Sequence, residues 1–301
     1  MKSTRDIVQE SSLLSFNGCA DDEIELAFLA RQLVQCTLPH RDPGDVPVWT
    51  RRNGELTLLV TRTDVDDDGR LIGYPYGSLP RLLLYWINSE AVRTKSRRLE
   101  LGDNLSRFMV DLGLNPRNGR GERSDARRLQ IQMQRLFAAS IRFKHRTEAV
   151  NGDLHQRSKL VSIVEDSELW WNPRHVKQGY LWGSWIELGP SFYSAITASP
   201  IPLNMTALKT LKRSPLALDL YSWVCYRSWR VTKQGAKQRV SWDSIHAQFG
   251  SQYSDVKDFR KKAMAALKKI VQTQPELKLT PVPGYIEIHP GVPVIPAQSA
   301  Q

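Results

Sequence analysis

SDVKDFRKKAMAALKKIV, residues 254–271, decides how the rest of this chain is read. At about 100° per residue, Val256, Phe259, Ala263, Ala266, Leu267 and Ile270 fall on one side of a helix. They make a core stripe. The opposite side carries Lys257, Lys261, Ala265 and Lys268, flanked by Asp258, Lys262 and Lys269, with Arg260 near the apolar edge. A membrane-surface helix would need its apolar side exposed and set with bulky anchors. Here that side is needed to pack a folded unit. The cationic side is either a solvated surface or a surface for a polyanion, and Ala265 leaves room for a close approach. Tyr253 and Ser254 stand just before the helix, where a hydroxyl can cap it or meet a phosphate.

A second stretch has the same plan. SDARRLQIQMQRLFAASIRFKHR, residues 124–146, reads as another long basic helix. Ala126, Leu129, Met133, Leu136 and Phe137 form its core stripe, while Arg127, Arg128, Ile131, Gln134, Arg135 and Ala138 point away. Arg and Gln are side chains that hydrogen-bond guanine and adenine edges. The loop before it places Arg117, Arg120 and Arg123 around two glycines, as a phosphate clasp or a solvated loop.

Upstream of each basic helix the order of signals repeats. Pro80 and Pro215 sit in the first turn of an apolar helix, where a missing N–H costs little. A basic connector and a short β-like piece follow, RRLEL in one copy and KQRVS in the other. A short helix begins near Asp103 or Asp243 and ends at Gly113 or Gly250. After the second long helix, LKLTPV and YIEIHP flank Pro283-Gly284 as a hairpin. Helix, strand, short helix, turn, long helix and hairpin is a winged helix-turn-helix. The fold expected is α+β, with two tandem winged helix-turn-helix domains related by internal duplication.

This assigns 1–48 to an N-terminal helical or flexible extension, 49–155 to a first winged domain and 156–190 to a connecting segment. A second winged domain covers 191–290 and a disordered tail 291–301. Asp21 caps an expected helix in DDEIELAFLARQLVQ, and Asn53-Gly54 marks a hairpin. DVDDDG, 64–69, opens like a calcium loop, but the position that needs a bidentate carboxylate holds Pro75. It reads as a solvated turn.

The 301 residues carry a net charge of +11. The first 48 are acidic on balance, so the basic excess lies in the body of the chain. That favours a polyanionic partner. Cys19, Cys36 and Cys225 form no CxxC and suit a reducing cytoplasm. There is no P-loop, no GxSxG, and the six histidines form neither HxH nor HExxH. No enzyme activity, cofactor or metal is expected. Trp170, Trp171, Trp182 and Trp185 read as packing residues rather than a base-stacking platform.

Several blocks together resemble the RepA-type plasmid replication initiators: GYPYGSLPRLLLYWINSEAVRTKSRRLELG, RRLQIQMQRLFAASI and SPLALDLYSW…VSWDSIHAQFGSQYSDVKDFRKKAMAALKKI, within roughly residues 50–293. The resemblance implies two winged-helix domains on double-stranded origin repeats, local origin melting, and recruitment of the host initiator and replicative helicase. It also implies autorepression by a homodimer. No membrane attachment is expected, since no apolar run approaches the ~20 residues that a span needs. The DNA-facing elements it implies are 124–140 and 255–271. The alternative is a winged-helix transcriptional repressor without replication activity.

Overall fold

The computed structural model describes residues 26–102, 104–117, 123–148, 153–169, 184–250, 253 and 255–291. Two units share one topology. In the first, helix α2 (Ser78–Thr94) leads to strand β4 (Arg98–Glu100), short helix α3 (Leu105–Asp111) and helix α4 (Asp125–Phe137). In the second, α7 (Pro215–Gln234) leads to β10 (Gln238–Ser241), α8 (Trp242–Phe249) and α9 (Val256–Thr273). Each unit closes with a hairpin. The first has β7 (Val164–Glu168) and β8 (Trp185–Leu188), and the second has β11 (Leu279–Val282) and β12 (Tyr285–Ile288). The sheets run β4-β8-β7 and β10-β12-β11, so in both the strand before the helix pair bonds to the second strand of the hairpin. The chain is thus a tandem of winged helix-turn-helix units. Pro281 lies on β11, an edge strand, where the lost N–H is tolerated.

Local chemistry sets the boundaries. Asn104, Ser124, Ser214, Ser241 and Asp255 each accept a backbone N–H from three residues ahead and cap α3, α4, α7, α8 and α9. The short helices therefore start on Asn104 and Ser241, beside the aspartates expected. Pro215 takes the first position of α7, and Gly235 ends it in the left-handed region at φ 67.

Three expectations change. Residues 26–35 are not one helix: β1 (Leu26–Ala30) pairs antiparallel with β9 (Pro200–Asn204), and only Arg31–Gln35 turn into helix α1. LAFLA is apolar on both faces because both are covered, a pattern that a strand and a buried helix share. The long helix expected over 124–146 stops at Phe137. From Ala139 the sequence alternates, with Ile141 inward and Arg142 outward, and forms β5 (Ala139–Glu148). It pairs with β6 (Leu154–Ser162) on one side and β3 (Leu56–Arg62) on the other, and β3 in turn with β2 (Trp49–Asn53) through the Gly54-Glu55 turn. This four-stranded sheet joins two strands from ahead of α2 to two, β5 and β6, inserted between α4 and the first unit's hairpin. Finally, β7 and β8 fall within 156–190. The segment expected to connect the domains supplies the first unit's wing.

The 26–48 part of the expected extension is also built in. Helix α5 (Pro190–Ala198), helix α6 (Met205–Leu211) and β9 lie between the units in sequence, and β1 joins them. In the DVDDDG stretch, Asp66 Oδ1 accepts the amides of Asp68 and Arg70 at 3.1 and 2.8 Å, closing a solvated turn. Among the described residues no helix is long and apolar enough to cross a membrane.

The units meet along their first helices. Arg81 of α2 donates to both carboxylate oxygens of Asp219 of α7, Nε to Oδ1 at 2.7 Å and Nη2 to Oδ2 at 2.8 Å. His40 Nε2 is 2.8 Å from Oδ2. Tyr85 donates or accepts a bond at 2.8 Å with Ser222 and reaches the Leu218 carbonyl. Gln248 of α8 donates to the Gln35 carbonyl at 2.9 Å. Cys36 and Cys225 are buried here, and burial pushes both thiols up to about 12. They behave as small apolar residues.

Candidate nucleic-acid interface

Helix α9 presents the face its sequence implies. Phe259, Ala263, Ala266, Leu267 and Ile270 are buried, and Lys257, Lys261, Lys262, Ala265, Lys268 and Lys269 are exposed. Lys257, Lys261 and Lys268 make no ion pair among the described residues. Lys269 instead donates to the Thr210 carbonyl at 3.2 Å, which ties α9 to α6. Arg260 lies over the Trp242 ring at 5.6 Å and belongs to the packing edge.

At the start of α9 the expected roles shift. Asp255 caps the helix, its carboxylate accepting the Asp258 amide at 2.7 Å. Two carboxylates therefore already occupy the positive end of the helix dipole. Tyr253 is half-buried. Its ring packs edge-on to Phe259 at 5.3 Å, and burial raises the phenol above its usual range. Ser254 lies outside the described residues.

The turn into α9 leaves no room for a side chain. A Cβ on Gly250 would stand 2.6 Å from the His246 carbonyl oxygen and 2.1 Å from its ring. Overpacking of this kind typically costs 1–3 kcal/mol. Gly250→Ala should lower stability by about 2 kcal/mol in urea titration. An unchanged midpoint would mean that the α8–α9 turn yields freely.

Helix α4 is more tied down. Arg128 and Gln134 are exposed, and Ile131 is half-buried. Arg127 shares a 2.8 Å bond with Gln130. Arg135, expected to point away, is recruited inward: it pairs with Asp42 at 3.2 Å, donates to the Tyr74 carbonyl, and lies over Tyr76. It also fills the space beside Gly73 that a Cβ would claim. Its expected outward role is corrected to a structural one, because aromatic and acidic partners from the 42–76 segment converge on it. Gln132, on the same helix, accepts the Tyr76 amide. In the preceding loop Arg117 and Arg123 are exposed, with the Arg117 amide bonded to Asn115. Arg120 lies outside the described residues, as do Trp170, Trp171 and Trp182. Trp185 is half-buried, with Arg98 over its ring at 3.9 Å.

The two hairpins differ electrically. In the second, Glu287 accepts from Arg239 at 2.6 Å and Lys237 at 3.2 Å, and these bonds hold its carboxyl below the usual range. In the first, the described residues of β7 and β8 carry Glu165, Asp166, Glu168 and Glu187 and no Lys or Arg. The residues missed at the sequence level lie next door. The four-stranded sheet carries exposed Arg52, Arg142 and Arg146 and half-buried Lys144 on one face, a pattern visible only once the strand register is known. Among the described residues no group of acidic, His and Cys side chains is arranged to hold a metal.

Two winged units, each ending its helical part in a cationic third helix, define a tandem winged-helix protein. A family described as "Plasmid encoded RepA protein" matches residues 74–244. The match runs from before α2 to the first turn of α8, and the chain belongs to this family. Among solved structures, the selenomethionine crystal structure of domains 2 and 3 of RctB is similar, at TM-score 0.48 and 9% identity, covering 83% of this chain and 94% of that one. A comparison with curated proteins finds no match.

Proposed function

We propose that this RepA-family chain is a non-enzymatic initiator of plasmid replication that reads repeated origin DNA with α9 and α4. One observation carries the reading. The exposed face of α9 bears three lysines that no acidic neighbour neutralises among the described residues, spaced around Ala265 on an otherwise well-packed helix. Lysines so placed meet phosphates, and Arg128 and Gln134 of α4 supply base-edge donors and acceptors. Two heads on one chain would engage successive turns of a repeat. Bound in this way, the protein would favour local melting and bring in the host initiator and replicative helicase, and a dimer would repress its own gene.

The test is a footprint on DNA flanking its own gene, paired with maintenance of a plasmid carrying that DNA. Protected repeats about one helical turn apart, or a multiple of that, with maintenance dependent on the chain, support the reading. Protection of a single operator with no maintenance would make it a repressor instead.

A further inference from the structure

In a winged unit the hairpin is the element free to lie along a phosphate backbone. The described strands of the first unit's hairpin, β7 and β8, are unsuited to that. They are acidic, and the cations beside them are spent: Arg97 pairs with Glu165 and Glu187, and Arg98 with Glu100. In the second unit α9 passes directly to its hairpin, whereas in the first β5 and β6 of the four-stranded sheet intervene. One face of that sheet is core, with Trp49, Arg51, Leu58, Val60, Ile141 and Val161 buried.

Among the described residues nothing is packed over the other face. Residues directly opposite share a face, so the register puts Arg52, Thr57, Lys144 and Ser158 in one row across all four strands. Thr50, Leu59, Arg142 and Leu160 form the next row, and Arg146 with Gln156 another. Along β5 the cations recur at every second residue, about 6.8 Å apart, or two base-pair rises along the duplex axis. Hydroxyls, an amide and the exposed side chains of Leu154 and Leu160 surround them, and Glu148 is the acid on this face of β5. The face has no aromatic ring, so it cannot stack unpaired bases. β5 begins one residue beyond the cap of α4, so this surface continues the chain from the candidate reading helix.

We infer that the first unit grips the backbone of duplex DNA with the open face of this four-stranded sheet, through Arg52, Arg142, Lys144 and Arg146, rather than with the strands β7 and β8. The inference rests on DNA binding by the helices and adds a contact outside the sequence they read. The probes are the footprint-defined duplex core and the same core extended by about one helical turn on each side. The triple variant R142Q/K144Q/R146Q is compared with wild type across salt concentrations. Each lost phosphate contact lowers the log–log salt slope by about 0.9. On the extended duplex the slope should fall in magnitude by about two to three, while far-UV circular dichroism stays that of wild type. An unchanged slope with wild-type binding intact overturns the sheet contact and leaves the helix reading standing. So does a variant that instead changes oligomeric state or loses only single-stranded DNA. Salt-independent binding by wild type on both duplexes overturns the helix reading and this one together.

Discussion

Asp219→Asn is expected to cost about 3–5 kcal/mol of stability, because it leaves buried cations without their counter-charge. Asp219 is 4% exposed. Arg81, equally buried, donates to it and to the Leu38, Pro39 and Gly77 carbonyls, so the guanidinium cannot leave the site. Arg51 is buried nearby, over the Trp49 ring at 5.2 Å, with no hydrogen-bond partner for its guanidinium among the described residues. Burial pushes its pKa down to about 10, and the charge of Asp219 is what opposes that. An asparagine keeps the size and one acceptor but removes the charge holding both arginines. Urea unfolding should show the loss, with the two units melting less cooperatively. Replacing Arg81 and Asp219 together by Met and Leu should cost less than Asp219→Asn, since of the two buried arginines only Arg51 then lacks its counter-charge, although His40 and the carbonyls bonded to Arg81 lose a partner.

The same cluster makes the junction acid-labile. Burial acts to raise the Asp219 carboxyl, but the Arg81 charge and the bonds from His40 and Arg81 together hold it well below the usual range. Its contribution is present above the unfolded pKa, about 4, and is lost as pH falls below it. His40 is lowered by burial, which outweighs its bond to Asp219. Its Nδ1 has no partner, so Nε2 carries the proton in the neutral ring and donates to Asp219. A histidine held neutral likewise contributes above its unfolded pKa, about 6.5, and loses that as pH falls. Stability should decline from about pH 6.5 downward and more steeply below about 4.

What could be read in advance follows from the range of each signal. Helix α9 was legible to the face because a 3.6-residue stripe is written into consecutive positions. The duplication was legible because caps, prolines and turn glycines repeat in order. The expected outward role of Arg135 failed because its partners, Asp42, Tyr74 and Tyr76, come from a segment with no periodic link to α4. Asp219 looks like one polar residue in an apolar helix until Arg81 of the other unit is placed beside it. The four-stranded sheet was hidden for the same reason. SIRFKHR continues the basic composition of α4, and only pairing with β3 turns it into a strand. The cations of its open face then come from β2 and β5, ninety positions apart in sequence for Arg52 and Arg142.

Replacing Lys257, Lys261 and Lys268 together by alanine is expected to weaken specific DNA binding roughly a hundredfold near physiological salt, and to cut the salt slope by about 2.7. The three ammonium groups are exposed and make no ion pair among the described residues, and alanine is a better helix former than lysine. The fold should therefore survive, and the loss should appear in binding without a drop in the urea midpoint. Lys269→Ala gives the contrast. That lysine is spent on the Thr210 carbonyl, so its loss should alter stability slightly and leave the slope unchanged. Gln134→Ala on α4 should act differently again. It removes no charge, so the slope should hold while discrimination at one base pair weakens by about 1–3 kcal/mol. If the triple lysine variant bound origin repeats as wild type does, α9 would be a solvated surface, and the reading of DNA would have to rest on α4 and its neighbouring sheet.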